Sequence, residues 1–178
     1  MARIKVIDKE FETSIPENKI LEAIDAVAFK MNQQLEGKNP LFVCVLNGAF
    51  MFASDLMKRI NIPCEITFVK VASYSGTETS GNIKRLIGFN EKVENRTVVI
   101  LEDIVDTGNT IVKLIEEVKT MNPADVQIAT LLYKPEACKN PISLDYVGME
   151  IPNEFIIGYG LDYNGQGRNL KDIYTLAQ

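Results

Sequence analysis

Three carboxylates stand close together in this chain, Glu102, Asp103 and Asp106, and a run of small hydrogen-bonding residues follows at once: Thr107, Gly108, Asn109 and Thr110. Acids this close repel one another unless a cation, a proton or hydroxyl groups sit between them. Ionised Glu102 and Asp103 are acceptor-only groups, suited to vicinal hydroxyls such as those of a ribose. Thr107 to Thr110 open an amphipathic segment. The unpaired N–H groups at a helix start, the positive end of the helix dipole and a glycine that permits close approach make a cradle of monophosphate size. It is not a Walker A loop, because the G-x-x-x-x-G-K-S/T pattern is missing. The plainer alternative is helix capping, for which Asp and Thr are good residues. One acid would suffice for that. Three point to a ligand carrying hydroxyls, a divalent metal and a phosphate.

These groups need a platform. Val98 to Leu101 is wholly apolar, as expected of a strand buried on both faces of a parallel sheet. The apolar spacing of Ile111, Leu114, Ile115 and Val118 predicts a helix over about 109–121. Upstream, Ile20, Leu21, Ile24, Val27, Ala28, Met31 and Leu35 predict a helix over 17–35, with Pro16 near its start and Gly37 past its end. A strand over Leu41–Leu46, a helix from about residue 50 to Ile60 and a strand over Glu65–Ala72 follow. Residues 73–85 are polar and glycine-bearing and read as a long loop. A strand at 126–133 and short apolar pieces at 144–147 and 155–158 complete the pattern. The order is that of a doubly wound α/β fold, whose ligands sit at the carboxyl ends of strands.

Composition narrows the chemistry. The 178 residues suit one domain, and 46% hydrophobic content argues against disorder. A formal charge of −5 disfavours nonspecific binding to nucleic acid or to an anionic membrane. No signal peptide and no bilayer-spanning apolar stretch is evident. Cys44, Cys64 and Cys138 are odd in number and widely spaced, which favours reduced thiols and a cytoplasmic location. There is no histidine, so His-based acid–base catalysis, Ser-His-Asp triads and His-rich zinc sites are excluded. Any divalent metal must be held by oxygen, as magnesium is.

Residues 97–110 resemble the phosphoribosyl-pyrophosphate signature of the type I phosphoribosyltransferases, and four further segments narrow the resemblance to the hypoxanthine-guanine phosphoribosyltransferase family. Leu46-Asn47-Gly48-Ala49-Phe50 resembles the family's pyrophosphate loop, Ser73-Tyr74 the start of its lid, and Leu131-Leu132-Tyr133-Lys134 the strand ending in its purine-contacting lysine. Glu154 to Asn164 followed by Arg168 resembles its base-binding and closing segment. Together these cover about residues 10 to 175.

The resemblance implies an α/β fold of the type I phosphoribosyltransferase kind. Its mostly parallel sheet is flanked by helices, with a core over about 38–150 and a small hood from about 1–15 and 150–178. It implies transfer of the phosphoribosyl group to hypoxanthine or guanine with release of pyrophosphate, helped by Mg2+, in a homodimer or homotetramer. Glu102 and Asp103 would hold the ribose hydroxyls and, with Asp162, the metal. Thr107, Gly108, Asn109 and Thr110 would bind the 5′-phosphate. Asp106 would face N7 of the purine and accept or relay its proton. Lys134 would donate to the purine O6, Phe155 would stack on the base and Ile156 would pair with it through its backbone. The plain readings of Lys134 and Phe155 are a solvated lysine and a core aromatic. Asp162 would serve either magnesium or the base's exocyclic edge; otherwise Asp162 to Gly165 is a turn. Arg168 would reach the pyrophosphate. Asn47 and Gly48 would offer backbone N–H groups to it across a cis Leu46–Asn47 bond. Ser73 and Tyr74 would open a lid that keeps water from a reactive sugar cation.

Two departures stand out. Asn47 occupies a position where many family members carry lysine, and Gly165-Gln166-Gly167 replaces bulkier residues, which implies a more flexible link from Asp162 to Arg168. A nucleic-acid-binding regulator of the same fold should carry a basic face, which the charge disfavours. An orotate or adenine transferase should lack the Lys134 and Phe155 to Asp162 combination.

Overall fold

In the computed structural model, residues 3–72, 84–87, 91–140 and 142–177 are described. The chain opens with β1 (Arg3–Val6) and β2 (Lys9–Ile15) and continues with α1 (Glu17–Gln34), β3 (Leu41–Leu46), α2 (Phe50–Met57), β4 (Glu65–Ala72) and β5 (Lys84–Ile87). Then come β6 (Thr97–Val105), α3 (Asn109–Lys119), β7 (Asp125–Tyr133), β8 (Tyr146–Glu150), β9 (Ile156–Ile157) and β10 (Ile173–Leu176).

The larger sheet has the order β5-β4-β3-β6-β7-β8. Five of its strands are parallel and β5 joins antiparallel to β4. Alternation along the central strands explains their unbroken apolar sequence. Leu41, Val43 and Val45 of β3 and Val98 and Ile100 of β6 pack with Ile111, Leu114 and Val118 of α3. Phe42, Cys44, Val99 and Leu101 pack on the other face with α1 and α2. Both faces are covered, so neither set of alternate residues can be polar. Strand order reverses between β3 and β6, and ligands bind in α/β sheets at such a switch point.

The second sheet, β1-β2-β10-β9, is antiparallel and joins residues near both ends of the described chain. Its small core holds Val6, Phe11, Ile157 and Tyr174. Among the described residues no helix is long and apolar enough to cross a membrane.

Several boundaries differ from the sequence expectation. α2 ends at Met57, short of Ile60. β6 runs on to Val105, past the expected end at residue 102, so Asp103 lies within the strand rather than beyond it. Lys84–Ile87 is a strand where a polar loop is expected. Ser73, Tyr74 and the loop to residue 83 lie outside the described residues.

Candidate functional site

Three strand ends meet at the switch point. β3 delivers the loop at Asn47 and Gly48, β6 delivers the acids and the turn into α3, and β7 delivers Lys134. A small open pocket is lined by Glu102 and by residues 104–111.

Glu102 is buried and Asp103 beside it half-buried. Glu102 is 8% exposed. Burial raises its carboxyl well above the usual range, and the charge of Asp103 and a hydrogen bond with it act in the same direction. Burial also raises Asp103, against the lowering effects of its bond with Glu102, the Ile104 N–H and the charge of Arg168. The Ile104 N–H donates to Asp103 Oδ1 at 2.8 Å. Beneath the pair, burial pushes the Cys44 thiol up to about 12, and the charges of Glu102 and Asp103 add to it.

The β3 loop rests directly on this pair. A side chain at Gly48 would place its Cβ 1.5 Å from Asp103 Oδ2, so only glycine fits there. Gly160 in turn backs onto the Gly48 carbonyl. The Leu46–Asn47 peptide is cis, the conformation the resemblance implies, and Asn47 is exposed.

The turn into α3 is left open as a cradle. Gly108 occupies the N-cap position in the left-handed region, φ 81°, and has no side chain with which to cap the helix. Asp106 does not cap it either: its carboxylate accepts from Lys134. The first N–H groups of α3 have no intrahelical partner by construction. Asn109 and Thr110 are exposed at this end, and the Asn109 N–H lies 3.5 Å from Thr107 Oγ1.

Lys134 is not the solvated lysine that a strand end usually bears. It is 6% exposed, and its Nζ donates to Asp106 Oδ2 at 3.3 Å. The parallel pairing of β6 with β7, which sets Val105 opposite Tyr133, brings the two residues together.

The base-binding candidates sit on the second sheet. Phe155 is 46% exposed and meets Tyr163 edge-on at 5.9 Å, with Phe11 at 6.3 Å. It is therefore not a core aromatic. Ile156 is buried, and among the described residues β9 is the last strand of its sheet, with β10 on one side only. Asp162 accepts from the Gly165 N–H at 2.6 Å and pairs with Arg168 at 2.5 Å. Arg168 also donates to the Gly160 carbonyl at 2.7 Å. Two backbone hydrogen bonds between Tyr163 and Gln166 close the turn. The segment expected to be a flexible link is thus pinned at several points. Asp162 does not join Glu102 and Asp103: among the described residues no three such groups gather into a set that could hold a metal ion.

Sequence reasoning passed over Tyr159 and Asp55. The Tyr159 hydroxyl donates to Asp55 Oδ2 at 2.5 Å and ties the turn at Gly160 to α2. The signal was there: a bulky residue between two glycines, in the left-handed region at φ 48°, must be held by something outside its own turn. It also passed over Asn140, which lies behind the α3 turn.

Residues 14–164 match the family model of the phosphoribosyl transferase domain. The chain is 40% identical over 174 residues to the hypoxanthine-guanine phosphoribosyltransferase of Lactococcus lactis subsp. lactis (strain IL1403), covering 97% of this chain and 94% of that one. It is 43% identical over 163 residues to the bifunctional protein TilS/HprT of Listeria innocua serovar 6a, where it spans only 25% of that protein's length. A solved hypoxanthine phosphoribosyltransferase from Staphylococcus aureus superposes with a TM-score of 0.88 at 38% identity, covering 93% of this chain and 91% of that one.

Proposed function

Because this chain belongs to the hypoxanthine-guanine phosphoribosyltransferase family, we propose that it joins hypoxanthine or guanine to C1 of phosphoribosyl pyrophosphate, giving IMP or GMP and pyrophosphate, in purine salvage. The observation that carries the reading is the buried Lys134 amine held 3.3 Å from Asp106. It sets a donor suited to a purine O6 beside a carboxylate suited to the purine's ring proton, at the edge of an acid-lined phosphate cradle.

In the reaction a bond forms between a purine nitrogen and C1, and the bond from C1 to the pyrophosphate oxygen breaks. The sugar passes through an oxocarbenium-like state. Asp106 takes or relays the purine proton, the role a positioned carboxylate fills in a chain without histidine. Glu102 and Asp103 hold the ribose hydroxyls as acceptors. Thr107, Gly108, Asn109 and Thr110 bind the 5′-phosphate. Phe155 stacks on the base, Ile156 pairs with it through its backbone, and Asn47 and Gly48 face the pyrophosphate.

The acid pair fits a magnesium ion: two adjacent carboxylates, one buried and one half-buried, with raised proton affinity favour a cation between them and a polyanionic ligand. Glu102 and Asp103 would hold it together with ligand oxygens, and bound magnesium would offset charge on the departing pyrophosphate. Asp162 enters that set only by giving up Arg168, which is then free for the pyrophosphate. Ser73 and Tyr74 as a lid, a homodimer or homotetramer and a cytoplasmic location belong to the same reading.

Incubation with phosphoribosyl pyrophosphate, magnesium and each of hypoxanthine, guanine, xanthine and adenine tests it. Nucleotide is expected from a 6-oxopurine. Turnover of adenine alone, or of none, overturns it.

A further inference from the structure

The turn at residues 107–110 is gripped from behind by a segment that the reaction does not call on. Asn140 is half-buried there. Its Nδ2 donates to the Thr107 carbonyl at 2.9 Å and to Asn109 Oδ1 at 2.9 Å. The Lys139 N–H donates to the same Thr107 carbonyl at 3.3 Å. Cys138 Sγ donates to the Asn140 carbonyl at 3.3 Å and fixes the backbone from which the amide projects. A side chain at Gly108 would run into Ile142 Cδ1 at 2.4 Å, so the two segments are in close contact. The orientation of the Asn140 amide is determined, because a carbonyl oxygen can only accept and the group facing Thr107 must be the donor end.

We infer that Asn140 is a positioning residue for the 5′-phosphate, an inference that rests on the reading of residues 107–110 given above. It acts in two ways. A trans peptide holds its N–H antiparallel to its C=O. Fixing the Thr107 carbonyl toward Lys139 and Asn140 therefore turns the Gly108 N–H away from them, on the side where residues 104–111 line the pocket. It also keeps a carbonyl lone pair from facing an anion. The second effect is on Asn109, whose amide carries one acceptor oxygen and one donor nitrogen. Asn140 occupies the oxygen, so the end left over is donor-only, which suits a phosphate. An unconstrained Asn109 amide would present either end.

The two effects predict a ligand-selective defect. Asn140→Ala removes both side-chain hydrogen bonds, frees the Asn109 amide and leaves the Thr107 carbonyl only the Lys139 N–H. Asn140→Asp sets an acceptor-only carboxylate against two acceptors, Thr107 O and Asn109 Oδ1, and repels the turn. The test is calorimetric affinity for IMP and for inosine, which differ only in the 5′-phosphate, with the wild type and both variants. Thermal midpoints are measured alongside to establish that each variant is folded. IMP affinity is expected to fall about ten-fold in Asn140→Ala, the scale of two neutral hydrogen bonds, and further in Asn140→Asp, with inosine affinity unchanged. In steady state KM for phosphoribosyl pyrophosphate rises while kcat holds.

If either folded variant keeps the wild-type ratio of IMP to inosine affinity, or weakens both ligands equally, Asn140 is not a positioning residue for the phosphate. If the wild type itself fails to prefer IMP over inosine, the phosphate reading of residues 107–110 falls and this inference with it. That result is visible in the wild type alone, so the two failures are distinguishable.

Discussion

On either side of Gly48 stand carboxylates that are neutralised in opposite ways. Against its Cα lies half-buried Asp103, bonded to buried Glu102, and desolvation raises both carboxyls from their ordinary values. Across its carbonyl lies Gly160, whose own carbonyl accepts from Arg168. Arg168 pairs with Asp162, and Asp162 also takes the Gly165 N–H. The first group is short of positive charge and the second is complete in itself. A pair of acids in the first condition destabilises the fold until a proton, a cation or hydroxyl donors arrive. The second stabilises its own turn with no ligand present. The pocket thus joins a region that gains from its ligand to one that must be opened for it.

The largest effect is expected at Asp106, which belongs to neither group: it is half-exposed and paired with buried Lys134. Asp106→Asn keeps the shape and hydrogen-bonding reach but cannot take a proton. Turnover should fall by at least about 100-fold, the scale of general acid–base catalysis, while IMP binding is largely kept. Steady-state kcat beside calorimetric affinity measures both. Unchanged turnover would take Asp106 out of the chemistry.

Lys134→Met comes next. It retains the apolar stem and removes the donor, leaving Asp106 without its cation. KM for hypoxanthine should rise roughly ten- to hundred-fold, the range for a hydrogen bond to a charged group, while KM for phosphoribosyl pyrophosphate moves much less. Equal effects on the two substrates would place Lys134 in the architecture rather than at the base.

Glu102→Gln tests the charge-starved side directly. Removing the buried acid of the pair should raise the thermal midpoint by about 2–4 °C, what about 1 kcal/mol gives in a chain of this size. Affinity for magnesium phosphoribosyl pyrophosphate should fall. The sign with pH follows from linkage. A carboxyl raised on folding binds its proton more tightly in the native state, so stability declines as pH rises above the unfolded value of 4.5. The advantage of the variant therefore grows as pH rises from about that value toward the raised folded one, and vanishes below the unfolded value. A variant less stable than the wild type at neutral pH would show that the pair is satisfied without ligand.

The charge-starved side is also the more legible one in the sequence. Its residues are consecutive, the strand that carries them is unbroken in its apolar character, and glycine marks the turn. Local order and strand-end chemistry are enough to find it. The opposing side is not written that way. Ile156 and Ile157 form a strand of two residues with no period to detect, and β10 supplies the partner some seventeen residues later. That Asp162 is occupied by Arg168 cannot be read from spacing, because it depends on the fold of the turn between them. β5 has only four residues, Lys84 to Ile87, and two of them are charged; its strand state comes from pairing with the edge of β4. Asn140 bonds to residues 31 and 33 positions away and Tyr159 to one 104 away. Each is made by tertiary contact between segments that carry no mark of one another.

Tyr159 gives the smallest of the expected effects and the finest test of the self-sufficient side. Its hydroxyl bonds to Asp55, which also pairs with Lys58 at 2.8 Å. Burial alone would raise the Asp55 carboxyl, but the hydrogen bonds from Lys58 and Tyr159 and the charges of Lys58 and Arg59 hold it below its usual 3.8. Burial and the bond to Asp55 push the Tyr159 phenol above its usual 10. Tyr159→Phe keeps the ring in the core and lets Asp55 drift back toward its ordinary value. The thermal midpoint should fall by about 2–4 °C near neutral pH, the effect of a single bond of about 1 kcal/mol, while turnover changes little. The pH window is closed at both ends. A depressed carboxyl stabilises above its unfolded value of 3.8, and that stabilisation is lost as pH falls through the lower folded value. A raised phenol stabilises below 10, and its contribution fades above that. The gap between wild type and variant should thus be a plateau that narrows in acid and again in strong base. Thermal melts across pH measure it. A gap that stays constant through the carboxylate range would mean that the phenol contributes packing alone, and that the turn at Gly160 is seated on Gly48 without help from α2.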